Sequence, residues 1–282
     1  MMAEQGHVGS EHHAHDPEVR QLAGLGAGGL ARELLLLRMD RNFRRGTLRS
    51  PRRGTTVEAR RLGRESPYPE GVHNPVVEIP MFPLSTVVFP GAELPLHVFE
   101  ERYRRLVGDV LDGNREFGTV LITAGSEVGG GDRRSEIGTL MRIEMAAPFD
   151  DGRWLLASKG IERIRVVEWL DDAPYPKAMV ERSPSSALSP GSEVLGRAAA
   201  AVRRLRMLLS ELDSGPCGRI DLDLGDDPTM ASWMACAVAP IAQLDGQALL
   251  ELTDPVARLT ALIAMCCDRI KDVEMLLAAD GS

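Results

Sequence analysis

The chain has 282 residues, 44% hydrophobic and 26% charged, enough to bury the cores of one or two domains. No apolar run approaches the roughly 18–20 residues of a membrane-spanning helix, and Leu34–Leu37, crowded by Arg32, Arg38 and Arg41, precedes no small-residue cleavage site; a cytoplasmic protein without membrane contact is expected. The net charge of −8 hides a segregation: eleven arginines lie between Arg32 and Arg64 against Glu33, Asp40 and Glu58, whereas from Val76 onward 21 Lys+Arg face 32 Asp+Glu, a balance that repels a phosphate backbone.

Residues 1–74 combine glycines (Gly24, Gly26, Gly28, Gly29), histidines (His7, His12, His13, His15) and arginine clusters without sustained apolar periodicity, and a disordered tail is expected there, with at most a short helix around Leu30–Met39. Translation beginning near Val72 or Val76 fits the same composition. From residue 75 to 183, short apolar runs broken by glycine and proline predict strands at Val76–Ile79, Leu94–Val98, Gly118–Ile122, Leu140–Met145, Arg153–Ser158, around Ile164–Val166 and at Ala178–Arg182. Met141, Ile143 and Met145 alternate with Arg142 and Glu144, and Asp150-Asp151-Gly152 supplies hairpin-turn chemistry. One helix interrupts this region: Phe99, Tyr103, Leu106, Val107, Val110 and Leu111 recur at helical spacing, Glu100→Arg104 and Glu101→Arg105 support its exposed side, and Gly113 ends it.

Serines and prolines between Ser183 and Ser192 mark a boundary, beyond which residues 192–282 read as a helical bundle. Ser192 suits the N-cap of the first helix, Asp227-Pro228 and Asp254-Pro255 open two others, Asp245 suits the cap of a short one, and Pro240 stops the second.

The stretch Ile79-Pro80-Met81-Phe82-Pro83-Leu84, then Val87-Val88-Phe89-Pro90-Gly91, then Leu94-Pro95-Leu96-His97-Val98-Phe99-Glu100-Glu101-Arg102-Tyr103 resembles the opening of Lon protease N-terminal domains. Phe117–Ile122, Gly125–Gly131, Ile137–Leu140 and Leu249–Leu259 agree with it, so the likeness spans about Val76–Leu277. It implies an α+β fold, a PUA-like small β-barrel followed by a helical bundle, and a role in recognising protein substrates. Glu101 departs from the proline many relatives carry after the Phe-Glu pair; a first-turn glutamate suits the helix dipole.

Catalysis finds no support in the sequence. Lon's own chemistry requires a Walker A loop and a serine–lysine pair, whereas the three lysines here, Lys159, Lys177 and Lys271, follow no phosphate-binding glycine loop. Ser158-Lys159 reads as a hairpin turn, and adjacent residues of extended backbone point apart. His97 is the sole histidine past position 73 and reads as a polar strand-end residue. Cys217, Cys236, Cys266 and Cys267 form no CxxC pair and read as reduced, buried core thiols without a metal. Asp150-Asp151, Asp171-Asp172 and Asp226-Asp227 adjoin turns or helix starts, where carboxylates cap amides. Trp154, Trp169 and Trp233 read as packing residues.

The expectation is a non-enzyme that needs no cofactor and binds unfolded or misfolded polypeptides, with a protease as a candidate partner. Contacts are expected on exposed apolar surface of the β domain and in the crevice beside the bundle. Candidates are Met81, Phe82 and the loop Glu127, Val128, Gly129, Gly130, Gly131, Asp132, the loop for its expected mobility; Met81 and Phe82 suit a core equally well. The alternative is a PUA-like RNA-binding protein using the arginine-rich tail.

Overall fold

The structure, a computed structural model, describes residues 75–124, 133–183, 188–212 and 224–280. The expected tail, residues 1–74, lies outside them. The order is β1 (Val76–Pro80), β2 (Glu93–Val98), α1 (Glu101–Asp112), β3 (Glu116–Ala124), β4 (Arg133–Pro148), β5 (Trp154–Trp169), β6 (Lys177–Ser183), α2 (Ser192–Leu212), α3 (Pro228–Ala237), α4 (Gln243–Glu251) and α5 (Pro255–Asp280).

The ladders are antiparallel and run β1-β6-β5-β4-β3, with β2 on the first half of β5 and β6 on its second half. The expected barrel does not close. Between β1 and β3 there are two isolated parallel bridges, Met81 to Gly118 and Leu84 to Leu121. Phe82 N–H donates to Gly118 C=O (2.7 Å) and Leu84 N–H to Val120 C=O (3.0 Å). Pro83, between the two bonded residues, turns its nitrogen away from β3, where a missing N–H costs no bond.

The alternation read in β4 places Met141 and Ile143 in the core and Arg142 and Glu144 outside, until a register shift before Met145 leaves that residue half-buried. The two strands expected around Ser158-Lys159 are instead one, β5, with no turn between them. Gly160, next in sequence, serves a close approach and not a turn. A Cβ there would meet the Phe89 carbonyl oxygen at 2.5 Å, so the glycine admits a crossing chain.

One core cluster joins Phe82, Tyr103, Leu106, Val107, Phe117, Met141, Ile143 and Leu156 beneath α1. Another lies among the strands, around Ile79, Met81, Val120, Leu140, Ile164 and Val180. The helices form a third with Val202, Leu205, Trp233, Leu249, Leu259, Leu262 and Val273, and Phe89 of the sheet region enters it.

Local signals act largely as read. Asp227 caps α3 by accepting from Met230 N–H (2.6 Å), and Asp254 Oδ1 accepts from Val256 N–H (2.9 Å). Asp245 instead lies inside the first turn of α4, which has Ala242 at its cap, and Ser192 is itself the first residue of α2. Glu101 pairs with Arg105 (3.2 Å), whereas Glu100 takes Arg102 (3.0 Å) and Arg104 turns to Glu101. Gly113 ends α1 with φ −98°, and the positive φ falls at Arg115 (65°), whose Nε–H donates to Ile143 C=O (3.1 Å).

Candidate functional site

Met81 and Phe82 are in the core. Met81 has no exposed surface, and its sulfur fills the space above Gly118, where a Cβ would lie 2.4 Å from it. Phe82 is 9% exposed and its ring stacks on Tyr103 at 3.9 Å. Consecutive residues of extended chain point to opposite sides, and here both sides are interior: Met81 enters the cluster among the strands and Phe82 the cluster beneath α1. Glu127, Val128, Gly129, Gly130, Gly131 and Asp132 lie outside the described residues.

At the expected crevice, residues of the sheet and the helices pack against one another. Phe89 reaches to within 6.2 Å of Trp233, ring to ring, and Met230 and Met234 close against Gly91. Gln243 Oε1 accepts from Val87 N–H (2.7 Å), and Gln247 Nε2 donates to Ile137 C=O (3.1 Å). Two buried arginines converge on the carboxyl end of α4 from opposite directions. Arg163 of β5 donates to Glu251 C=O (2.9 Å) and Ser183 Oγ (2.8 Å). Arg258 of α5 donates to Leu252 C=O (2.9 Å) and Ser232 Oγ (2.8 Å), with its guanidinium 3.2 Å from the Trp233 ring centroid. Carbonyls at a helix C-terminus carry partial negative charge, so they are suited to both cations. Burial still lowers the Arg258 pKa to about 10. This junction holds the two layers together.

One exposed ring, Phe99, stands where β2 ends beside the β4–β5 turn, next to exposed His97 and half-buried Phe149. Phe99 is 58% exposed because α1 begins at Glu101, so Phe99 precedes the helix and escapes the stripe its spacing suggests. The His97 ring lies 6.2 Å from that of Phe99 and 5.8 Å from that of Phe149. Phe149 is held by the turn, its N–H donating to Arg153 C=O (2.8 Å), while Asp151 accepts from Arg153 N–H (3.1 Å) and Nε–H (2.7 Å). Arg153 lies 5.4 Å over Phe149. Partial desolvation of the otherwise exposed ring, then the charge of Arg153, lowers the His97 pKa from 6.5, so the imidazole beside the two phenyl rings is neutral at neutral pH. An aromatic beside the Asp150-Asp151-Gly152 turn was the sequence signal for Phe149.

Other residue types that suggest chemistry serve structure. Ser158 is buried and Lys159 exposed on opposite sides of β5. Burial pushes the Cys236 thiol up to about 12 and that of Cys266 up to about 11, leaving both protonated at neutral pH. Cys267, the next residue on α5, is exposed and not a core thiol, because adjacent helical residues face different directions, and Cys217 lies outside the described residues. Asp172 pairs with Arg134 (2.8 Å), which lies over Trp169. Trp233 is fully buried, and Trp154 is half-buried against the α1 core. Among the described residues no group of three or more His, Cys, Asp or Glu can hold a metal, and no helix is long and apolar enough to cross a membrane.

The class is an α+β domain in which an antiparallel sheet is pinned to a helical layer. The family model of the ATP-dependent protease La (LON) substrate-binding domain matches residues 78–268, and the chain belongs to that family. A crystal structure of a Lon N-terminal domain protein from Xanthomonas campestris superposes with a TM-score of 0.51 at 29% identity, over 67% of this chain and 98% of that one. The chain is 36% identical over 126 residues to Lon protease of Dictyoglomus thermophilum, and 26% identical over 190 residues to Lon protease 2 of Myxococcus xanthus. These matches cover 44% and 66% of this chain but 15% and 23% of those proteases.

Proposed function

We propose that this protein is a non-catalytic module that captures unfolded or misfolded polypeptide segments, for delivery to a protease partner. Membership of the substrate-binding family carries the reading. The His97–Phe99–Phe149 shelf supports it, because the exposed Phe99 ring, flanked by His97 and half-buried Phe149, offers apolar contact with little side-chain entropy to lose. The Glu127–Asp132 loop, which links β3 to β4 in sequence, is proposed as a second contact separate from the shelf; Met81 and Phe82 serve as packing. The matched family region excludes the ATPase and peptidase parts of Lon, in keeping with a protein that neither hydrolyses ATP nor cleaves casein.

The test is fluorescence anisotropy of a permanently unfolded model protein, reduced carboxymethylated α-lactalbumin, titrated with the full chain. Weak, broad binding is expected. No binding up to high micromolar concentration removes the reading, and casein cleavage abolished by a point mutation overturns the non-catalytic assignment. The eleven arginines between Arg32 and Arg64 favour a second reading, RNA binding by that segment. Its mark is salt-dependent RNA affinity that vanishes when residues 1–74 are deleted.

A further inference from the structure

β2 ends at the aromatic shelf, and one of its two edges has a partner. Its inner edge is set at the Phe89-Pro90-Gly91-Ala92 turn, where Gly91 adopts φ 83°. There Gly91 N–H donates to Gly160 C=O (2.9 Å) and Gly160 N–H to Ala92 C=O (2.9 Å), so two residues of β2's strand oppose one of β5. The register then runs Glu93 opposite Lys159, Leu94 opposite Ser158 and onward to Val98 opposite Trp154. Antiparallel pairs alternate between bonded and non-bonded positions, so counting from Gly160 makes Leu94, Leu96 and Val98 the residues that bond β5. Glu93, Pro95 and His97 therefore turn their backbone polar groups the other way. Pro95 agrees independently, since a proline fits a strand where its nitrogen faces away from the ladder. All three residues are exposed, and β2 pairs with β5 alone among the described strands.

The geometry points to strand addition along this free edge: an extended segment of non-native polypeptide adds beside β2, bonded to the carbonyls of Glu93, Pro95 and His97 and the amides of Glu93 and His97, and lays aromatic or aliphatic side chains on the His97–Phe99–Phe149 shelf. This rests on the polypeptide-capture reading and specifies the conformation captured. The edge offers three acceptors and two donors, which a backbone with all its amides satisfies. A second copy of β2, paired antiparallel about Pro95, would set proline against proline and lose both central bonds. A foreign chain is thus the better complement.

Outward amides can be deleted without touching the inner ladder. His97→Pro removes one, and His97→Ala removes the ring but keeps it. The probe is a fluorescein-labelled ten-residue peptide alternating threonine with phenylalanine and valine, compared with the same peptide N-methylated at two consecutive central residues, which blocks both of its edges. With the full chain, the methylated peptide and the His97→Pro variant are each expected to bind at least about fivefold more weakly than the plain peptide and His97→Ala respectively, the worth of about one net hydrogen bond. Circular dichroism checks the variants; should His97→Pro fail to fold, the methylated peptide decides alone. Equal binding of the two peptides overturns strand addition while leaving capture by the shelf intact. Failure of both peptides and of carboxymethylated α-lactalbumin to bind overturns the capture reading as well. A concentration-dependent dimer of the full chain, lost in His97→Pro, puts a second copy on the edge and overturns the assignment of its occupant.

Discussion

The two halves of β5 are put to opposite uses. Its second half buries a charge: Arg163, 4% exposed, reaches out of the sheet to the end of α4, where Arg258 arrives from α5. Its first half backs β2 and the β4–β5 turn, where Phe99 stands in water beside His97 and Phe149. A buried cation carries a desolvation cost that is offset when its donors meet fixed acceptors, which favours one arrangement of sheet and helices. An exposed ring leaves hydrophobic free energy unclaimed until something covers it. Rigidity at one end and uncovered apolar surface at the other are what a recognition module on a fixed frame requires.

The comparison breaks most readily at the junction. Trp233→Ala removes a fully buried ring that contacts both Phe89 and Arg258, and a loss of about 3–5 kcal/mol is expected in urea denaturation. A loss below about 1 kcal/mol would mean that the helices are not fastened to the sheet there. Arg163→Ala comes next, with about 2–3 kcal/mol lost because the α4 carbonyl and Ser183 hydroxyl are left without this donor. Phe82→Ala belongs with these: about 3 kcal/mol of stability is lost, and the variant, held below its melting temperature, binds unfolded protein as the parent does.

At the shelf the signs reverse. Phe99→Ala changes stability by less than about 0.5 kcal/mol, as expected for an exposed side chain, yet weakens binding of carboxymethylated α-lactalbumin about fivefold or more. Unchanged affinity would remove the shelf from the site. The smallest effect is that of pH. The His97 pKa is lowered by burial and then by Arg153, so the unfolded chain takes up the proton more readily and the neutral ring stabilises the fold. That contribution is complete above 6.5 and is lost as pH falls through the depressed folded value. Urea midpoints and peptide affinity should both decline on acidification below 6.5, and His97→Ala should flatten the part of each profile that it causes.

Local grammar was legible because its physics is local. Asp227-Pro228 and Asp254-Pro255 start α3 and α5, Glu101 and Arg105 meet one turn apart, and the Met141–Glu144 alternation sorts side chains to two faces whatever lies beyond. Spacing misplaced Phe99 because one helical turn is indistinguishable from the residues just before it until the helix start is fixed. Tertiary structure decided what depends on distant chain: that Gly160 admits Phe89, that Met81 and Phe82 face two interiors, and that Phe149 meets His97 across two strands. It also decided the convergence of Arg163 and Arg258 on one helix end. A sequence lists the donors of a buried arginine, but only the fold determines which carbonyls it reaches and whether water is excluded from them.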